Sequence, residues 1–297
     1  MVIRFVYYVF ILPVSWLPLP VIYLIAKLFL FIIHDIVGYR RDVVETNLKN
    51  SFPEKSTREI KKLSRKFYVH FGQINAEGLK GFSIQKKNLL RRFKVLNPEI
   101  MYKLYEQGKS AILVSGHFNN WEFMVQSLNL QFPQKAIGVG KPITNQGFES
   151  IMNEARCRFG MSVWDQNNVR PNIKEQIESN EPFSLMLLAD QSPASYKKSY
   201  WMRFLNQDTP VIFGPEYLAH KYDLPVIYYE ILKKKPGFYE VSLIPVTLNP
   251  KDEKYGDITY KHTKLLEASI KKQPENWLWS HKRWKLSHHS DEFQVRE

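Results

Sequence analysis

The sequence contains a single cysteine, Cys157, among its 297 residues. One cysteine excludes an intrachain disulfide framework and a cysteine-rich zinc site, and it fits a reducing compartment. No ligand cluster stands at a recognised metal-binding spacing, so we expect no metal. Internal repeats and low-complexity linkers are also absent, which favours one large catalytic domain over several small ones.

Acidic residues are outnumbered: 29 aspartates and glutamates stand against 42 lysines and arginines, which gives a net charge of +13. The excess lies in four short clusters: Lys61, Lys62, Arg65 and Lys66; Arg91, Arg92 and Lys94; Lys233, Lys234 and Lys235; and His281, Lys282, Arg283 and Lys285. Such a surface favours an anionic partner, which could be nucleic acid, anionic lipid headgroups or an acidic carrier protein. Charge alone does not choose among the three.

Charged residues are missing from the segment 5–26, and after Lys27 the apolar run resumes as "LFLFII". This length is enough to cross a bilayer, which takes about 20 apolar residues in a helix. Pro13, Pro18 and Pro20 interrupt the run, so a kinked span and a re-entrant hairpin both fit. No small-residue cleavage site follows, which argues against a cleaved signal peptide.

We therefore predict a membrane-anchoring segment at 1–38 and a catalytic domain at 39–297. Arg40 and Arg41 flank the apolar run on its C-terminal side. The positive-inside rule then predicts that the domain lies in the cytoplasm. The alternative is a buried helical hairpin in a soluble protein.

Periodicity predicts the fold of the remaining chain. Helical spacing of apolar residues covers 56–80, which begins with a capping pattern, and 97–107. Short apolar runs with strand character then occur at 111–116, 136–140, 183–190, 225–232 and 239–246. Helical patterns lie between them at 120–130, 147–159, 172–179 and 214–222. This alternation predicts an α/β fold with a central mixed sheet flanked by helices.

The stretch "SGHFNNWEF" at 115–123 places His117 five residues before Glu122, and a histidine with a carboxylate is a minimal device for deprotonating a hydroxyl. The same spacing joins His262 to Glu267. Five residues along an unbroken helix rotate by about 140°, so the second pair would diverge. We interpret it as a solvated helical pair.

His117 differs because it follows a strand and Gly116, before a helix that begins at Trp121. Asn119 or Asn120 is suited to cap that helix. Glu122 would then lie in its first turn, where contact with His117 is possible, at the sheet edge where α/β proteins place ligands. The alternative is that His117 caps the turn and Glu122 complements the helix dipole.

Six blocks follow one another along the chain: "SGHFNNWEF", "VGKPITNQGFES", "EARCRFGM", "LLADQSP", "RFLNQDTPVIFGPEYLAHKYDLPVI" and "ENWLWSHKRWK". Together they resemble the lysophospholipid acyltransferase superfamily, and specifically its branch of bacterial lipid A late acyltransferases. The first block is similar to the family's His-x4-Glu motif. The resemblance extends over residues 5–285, and in the second block Lys141 stands where the family usually has arginine.

The resemblance implies acyl transfer from a thioester to a hydroxyl or amine of a membrane lipid. His117 would be the general base and Glu122 would orient its imidazole by a hydrogen bond. Arg158 is the first candidate and Arg156 the second for stabilising the oxyanion. No covalent acyl-enzyme and no cofactor is required, because the acyl thioester of carrier protein or coenzyme A is a co-substrate.

Other positions of the six blocks are candidates for binding substrate: Asn120, Lys141, Asn145, Arg156, Asp190, Gln191 and Arg283. Asp190 and Gln191 end a predicted central strand and are expected to support the site or contact the acceptor, although Asp190 could equally cap a turn. Arg283, within a cluster of tryptophans at 277, 279 and 284, is a candidate ligand for a lipid phosphate. The tryptophans themselves are expected to pack in the core or at a membrane interface.

The resemblance favours a lipid A precursor as acceptor, and a lysophospholipid, an aminoacyl lipid or a glycolipid as the alternatives. The expected partners are this lipid, an anionic membrane surface, and acyl carrier protein more than coenzyme A, since the basic surface suits an acidic protein. The expected location is the cytoplasmic side of a bacterial inner membrane. A nucleic-acid-binding protein and a membrane scaffold without catalysis are the rival classes, and no recognised nucleic-acid module is present, so we expect no nucleic acid.

Overall fold

A central sheet of seven strands organises the computed structural model, which describes residues 2–297. The strands are β1 (Phe93–Val95), β2 (Ala111–Ser115), β3 (Lys135–Gly140), β4 (Ser162–Asp165), β5 (Phe183–Leu188), β6 (Tyr200–Phe204), β7 (Gln207–Val211), β8 (Val226–Lys235) and β9 (Phe238–Thr247). Their order in the sheet is β1-β9-β8-β2-β5-β3-β4, and β6 and β7 form a separate hairpin. Only β8 and β9 pair antiparallel within the large sheet.

Helices cover both faces of this sheet. The α-helices of residues 2–297 are α1 (Val2–Val6), α2 (Leu12–Trp16), α3 (Leu19–Phe31), α4 (Arg41–Ser51), α5 (Thr57–Gly81), α6 (Lys86–Arg92), α7 (Glu99–Glu106), α8 (Trp121–Gln131), α9 (Gln146–Cys157), α10 (Val169–Glu178), α11 (Gly214–Tyr222) and α12 (Asp257–Lys272). Tyr7–Ile11 and Ile32–Ile36 are π-helical turns, and Gln166–Asn168, Tyr196–Lys198, Pro250–Asp252, Pro274–Asn276 and Ser287–Glu292 are 3₁₀ turns.

The predicted α/β fold with a mixed sheet is confirmed. The five predicted strands correspond to β2, β3, β5, β8 and β9, whereas β1, β4, β6 and β7 have three to five residues each and were not predicted. β1 and β4 give too few apolar repeats to stand out, and β6 and β7 include polar residues such as Arg203 and Asp208, which interrupt an apolar run. The β6–β7 hairpin turns at Leu205 and Asn206, which are both left-handed (φ 49° and 61°).

Strand β2 is buried on both faces, as expected for a central parallel strand. Ile112 and Val114 belong to the apolar core on one face, and Ala111 and Leu113 to the core on the other. The parallel neighbours β5 and β8 hold β2 in register, so that Ser115 lies opposite Leu188. The residues that follow β2 and β5 therefore leave the sheet side by side at its carboxyl edge.

The N-terminal helices pack along α5. The Tyr23 hydroxyl donates to Glu77 Oε1 (2.6 Å), and Lys80 Nζ donates to the carbonyls of Ser15 and Leu17 (2.8 and 3.1 Å). The opposite side of this segment remains exposed: the helical stretch Leu19–Ile36 has a mean hydropathy of 2.0, and only 11% of it is buried. It is long and apolar enough to cross a membrane, while the division at residues 38 and 39 stays a prediction.

The buried carboxylate of Glu77 joins the N-terminal helices to the rest of the fold. Besides Tyr23, it accepts hydrogen bonds from Asn120 Nδ2 (2.6 Å), the Tyr239 hydroxyl (2.6 Å) and the Gly237 backbone N–H (2.9 Å). Four donors converge on one side chain that is fully buried. This group connects α3, α5, the β8–β9 turn and the start of α8.

Replacing Glu77 by glutamine is expected to lower the free energy of unfolding by about 3 kcal/mol, because a buried amide meets four donors with a single acceptor. Urea unfolding in detergent would measure this loss. The matched control is Glu106→Gln at an exposed position of α7, which should change stability little. A loss of equal size in both variants would contradict the role assigned to Glu77.

Candidate active site

The turn after β2 brings the backbone of His117 against Asp190. Gly116 makes this approach possible, because a Cβ atom at its position would lie 2.9 Å from Asp190 Oδ2 and 3.0 Å from Leu266. Asn119 then reverses the chain in the left-handed region (φ 56°), and Asn120 caps α8 by accepting from Phe123 N (2.8 Å). Of the two candidate asparagines, Asn120 and not Asn119 therefore caps α8.

His117 and Asp190 form the central contact of the site. Nδ1 of His117 lies 2.7 Å from Asp190 Oδ1, and the His117 backbone N–H donates to Oδ2 at the same distance. Trp277 Nε1 donates to Oδ2 as well (2.8 Å). Asp190 follows β5, the parallel neighbour of β2, so the two residues meet although 73 positions separate them. The carboxylate therefore fixes both the backbone and the ring of His117.

The environment of Asp190 keeps its carboxyl group ionised. Burial by itself would raise the pKa of Asp190, but the neighbouring His117 and the hydrogen bonds from His117 and Trp277 lower it to about 2. An ionised carboxylate only accepts hydrogen bonds, so Nδ1 of His117 carries a proton. Nε2 is then the basic nitrogen of the neutral ring.

The pKa of Asp190 predicts a loss of stability in acid. Its folded-state value of about 2 lies below its ordinary 3.8, so its contribution is complete above about pH 4 and is lost as the pH falls through about 2. The contribution amounts to about 2 kcal/mol. Urea unfolding across this pH window should show the decline, and Asp190→Asn should flatten it. An equally steep acid dependence in Asp190→Asn would contradict the assignment.

Nε2 of His117 is in contact with Gln191, whose amide Nε2 lies 3.3 Å away. Because the imidazole Nε2 has no proton, the glutamine amide is the donor. The His117 side chain is 18% exposed, against 2% for Asp190. The basic nitrogen thus lies at the open side of the pair, where an incoming hydroxyl would take the place of the amide.

The predicted hydrogen bond between Glu122 and His117 is corrected by the structure, since both ring nitrogens of His117 have other partners. Glu122 instead binds Arg156 of α9 in a bidentate pair, with Nη2 to Oε1 at 2.6 Å and Nε to Oε2 at 3.1 Å. In the first turn of α8 its side chain faces α9, whereas His117 belongs to the preceding turn. A catalytic role for Glu122 stays a prediction.

The Glu122–Arg156 pair is expected to stabilise the packing of α8 on α9. Glu122→Gln should lower the free energy of unfolding by about 2 kcal/mol, because the pair is bidentate and three-quarters or more buried. The double exchange Glu122→Arg with Arg156→Glu should recover part of this loss in urea unfolding. If the exchange restores no stability, the pair is not the source of the effect.

Arg158, the first candidate for the oxyanion, lies elsewhere. Its guanidinium donates to the carbonyls of Gly81 and Phe82 at the end of α5 (3.3 and 3.0 Å), and it covers the Phe159 ring. These carbonyls are the unsatisfied acceptors of a helix C-terminus, to which a cation is attracted. Of the two arginines in this block, only Arg156 contacts the helix that follows His117.

Of three residues predicted to bind substrate, Asn120 is buried, and Lys141 and Asn145 are exposed. Asn120 is buried, with its side chain bound to Glu77 and to the backbone of α8, so the prediction that it contacts substrate does not fit its surroundings. Lys141 and Asn145 follow β3 in an exposed loop at the same edge of the sheet as His117. Asn145 also caps α9 through Phe148 N (3.1 Å).

Arg283 is 1% exposed, so the predicted contact with a lipid phosphate is corrected: the guanidinium cannot be reached from solvent in this structure. Burial lowers its pKa to about 10, although the nearby Asp190 opposes this shift. Its Nε and Nη1 have no hydrogen-bond partner within residues 2–297. Arg283 shares a small cavity with Asp190 and Ser115, and it therefore adds positive charge near the Asp190 carboxylate.

The surrounding tryptophans form core, as predicted, and one of them also has a polar role. Trp277, Trp279 and Trp284 are at most 9% exposed, and Trp277 bonds to Asp190. Apart from the clustering of the tryptophans, no sequence pattern predicts this contact. His281 accepts from Ser192 N (3.0 Å), and burial lowers its pKa to about 4, so it is neutral beside the site.

The second histidine–glutamate pair is not solvated, contrary to the prediction. His262 and Glu267 on α12 are 4% and 7% exposed, and burial lowers the pKa of His262 to about 3. Glu267 binds Leu205 N (3.2 Å), which ties α12 to the β6–β7 hairpin. No group of three potential metal ligands occurs among residues 2–297.

Comparison with known proteins identifies the family of this chain. The model of the bacterial lipid A biosynthesis acyltransferase family matches residues 1–286. A lipid A biosynthesis lauroyltransferase of Escherichia coli K12 is 23% identical over 270 residues, which cover 91% of this chain and 87% of the relative. A palmitoleoyltransferase of lipid A biosynthesis from the same strain is 22% identical, with 92% and 89% covered. The chain therefore belongs to the bacterial lipid A biosynthesis acyltransferase family.

Proposed function

We propose that this acyltransferase moves a fatty acyl chain from an acyl thioester to a hydroxyl of a lipid A precursor, with His117 as general base. The observation that carries the proposal is the His117–Asp190 contact at the carboxyl edge of the sheet. It supplies a basic nitrogen that is partly exposed and a buried carboxylate behind it. Membership of the family supplies the class of reaction.

The proposed reaction needs one base and no covalent enzyme intermediate. Nε2 of His117 takes the proton of the acceptor hydroxyl while its oxygen attacks the thioester carbonyl. Asp190 stabilises the imidazolium that forms. When the tetrahedral intermediate collapses, the carbon–sulfur bond breaks and the imidazolium returns the proton to the leaving thiolate. The products are the acylated lipid and a free thiol, and the histidine is neutral again.

Arg156 becomes the first candidate for stabilising the oxyanion, ahead of Arg158. Arg156 is bound to Glu122 in the first turn of α8, five residues after His117, whereas Arg158 is bound to the end of α5. Glu122 would then act by holding the Arg156 guanidinium in place. A preorganised cation at this position would contribute on the order of 3 kcal/mol to the transition state.

The donor and the acceptor are proposed from charge and family. Acyl carrier protein is preferred over acyl coenzyme A, because a surface with net charge +13 attracts an acidic protein. A lysophospholipid, an aminoacyl lipid or a glycolipid is the alternative acceptor. Lys141 and Asn145 are proposed to contact the acceptor from their exposed loop at the sheet edge, and Gln191 to exchange its amide for the attacking hydroxyl.

The proposed location is the cytoplasmic face of a bacterial inner membrane. The exposed apolar side of α3 supports insertion into lipid, and the hydrogen bonds from Tyr23 and to Ser15 hold the anchor along α5. A helix packed in this way along a domain helix fits partial embedding better than a free span. The basic residues that follow the anchor favour the cytoplasmic side.

The decisive experiment is an assay of the purified protein with a lipid A precursor and, separately, acyl carrier protein and coenzyme A thioesters. Mass spectrometry of the lipid should show one added acyl chain with the carrier-protein donor. A panel of lysophospholipid, aminoacyl lipid and glycolipid acceptors is run beside it. Transfer to none of these acceptors, with the protein folded, would favour the non-catalytic scaffold. Sub-micromolar binding of DNA or RNA would favour the nucleic-acid class.

A further inference from the structure

A basic groove runs between the anchor and the domain, apart from the catalytic cluster. Its volume is 1370 Å³, and its walls are the end of α3 with the π-helical turn after it, the start of α4, α5 from Arg58 to Gln73, the β8–β9 turn and the segment 273–276. None of His117, Asp190, Gln191, Glu122 or Arg156 lines it. Asn119, which follows His117 by two residues, binds Gln273 and Asn276 of the groove wall (3.2 and 3.0 Å).

The groove concentrates the positive charge of the chain. Its acidic side chains are three, Asp35, Glu45 and Glu275. Its cationic side chains are ten: Lys27, Arg41, Arg58, Lys61, Lys62, Arg65, Lys66, Lys233, Lys234 and Lys235. The difference of +7 is more than half of the net charge of +13 for the whole chain. A concave surface with such a charge focuses the field on whatever enters it.

These cations are not neutralised by the protein. Within residues 2–297, only Lys234 of the ten lies within 4.0 Å of a carboxylate oxygen, that of Glu240. Lys233 is partly buried in the groove, and its ammonium donates to Gln73 Oε1 (2.6 Å) and contacts His70 Nδ1 (3.2 Å). Gln73 has no charge, and His70 is neutral because burial and the neighbouring lysine lower its pKa to about 3. The ammonium group of Lys233 is therefore partly buried without a negative partner, and an anionic ligand would stabilise it.

One wall of the groove belongs to the apolar anchor. Leu30 and Phe31 line the groove, and the exposed side of the same helix continues with Leu24, Leu28 and Phe29. Cations at the edge of an exposed apolar helix are the pattern of a protein surface that meets anionic lipid headgroups. A ligand that fits both parts has an anionic head and acyl chains, and this favours a lipid over an acidic protein.

We propose that this groove binds the phosphate headgroup of an anionic bilayer lipid whose chains lie against α3. This lipid is distinct from the acyl acceptor, because the groove does not reach His117. The lipid would hold the domain at the membrane surface in a fixed orientation. The inference rests on the proposed membrane association of the anchor, but not on acyl transfer.

Calorimetric titration of the detergent-solubilised chain with dihexanoyl phosphatidylglycerol tests the proposal, with dihexanoyl phosphatidylcholine as the neutral counterpart. We expect the anionic lipid to bind and the neutral lipid not to. The triple variant Lys61→Gln, Lys62→Gln, Arg65→Gln should bind about 100-fold more weakly, since each exposed cation near an anionic lipid contributes roughly fivefold. All three side chains are exposed, so the fold should persist.

The matched control removes the same charge elsewhere: Lys103→Gln, Lys109→Gln, Lys254→Gln, three exposed lysines outside the groove. It should bind as the wild type does, and Lys233→Gln should lose more than the roughly fivefold of an exposed cation. Equal losses in both triple variants, or equal binding of the two lipids, would overturn the proposal. So would displacement of the lipid by inorganic phosphate at equal concentration, or a groove triple that loses only binding of acyl carrier protein.

His117→Ala is titrated alongside and should bind the anionic lipid unchanged. Failure of acyl transfer with intact lipid binding would thus count against the proposed reaction, while loss of lipid binding alone would count against the groove.

Discussion

Replacing His117 by alanine is expected to lower kcat for acyl transfer by at least about 1000-fold. The variant lacks the basic nitrogen that the structure places beside the buried Asp190 carboxylate at the sheet edge, and general-base catalysis contributes about 100- to 10,000-fold by itself. The measurement is the rate of acylated lipid formation at saturating donor. KM for the donor should change little, because the imidazole acts on the hydroxyl of the acceptor.

The matched control for His117 is the other histidine of the duplicated spacing. His262→Ala removes a buried ring on α12 that has no hydrogen-bond partner at Nε2, so it should cost stability and leave kcat of the folded fraction near that of the wild type. Circular dichroism of both variants establishes that they are folded. Unchanged turnover in His117→Ala would rule out the proposed mechanism.

Asp190→Asn is expected to lower kcat by about 10,000-fold, more than Glu122→Gln. An amide in place of the carboxylate no longer holds the proton on Nδ1 or stabilises the imidazolium, which is the known cost of such a change in a histidine–aspartate pair. Glu122 contacts Arg156 and neither nitrogen of His117, so its neutralisation should lower kcat only through the placement of the arginine. The two variants therefore compare the carboxylate predicted from the motif with the one found in space.

A pH–rate profile gives a second reading of the same comparison. Asp190→Asn should move the acidic limb of the wild-type profile, because the general base loses its charged partner. Glu122→Gln should leave the limb in place. If Glu122→Gln moved the limb and Asp190→Asn did not, Glu122 would be the orienting residue, and the contact in the structure would not describe the working enzyme.

Much of this protein can be read from local sequence. The apolar run at the N-terminus, the capping box at Ser56 and Glu59, and the apolar strands β2, β5 and β8 all depend on residues that are neighbours in the chain. The position of His117 at the end of a buried strand has the same origin, as does the cap at Asn120. Propensity, periodicity and capping act over a few residues, so a pattern is sufficient to predict them.

The partners of these residues depend on which strands are neighbours. Asp190 reaches His117 because β5 lies beside β2, and Trp277 reaches Asp190 from a segment 87 positions further along the chain. Glu122 is only five residues from His117 in the chain, but it binds Arg156 of another helix and not His117. Packing also buries Arg283, which we predicted to bind a phosphate, and His262, which we predicted to be solvated with Glu267.

The sequence by itself thus determined the class of fold, the family and the histidine that we propose as general base, because each is carried by contiguous residues. Only the tertiary structure decided which carboxylate contacts that histidine, which arginine binds the helix that follows it, and how scattered lysines gather into one groove beside the N-terminal helices. The physical reason is that hydrogen bonds and desolvation act over a few ångströms in space, and only the folded chain brings residues from distant positions within that range.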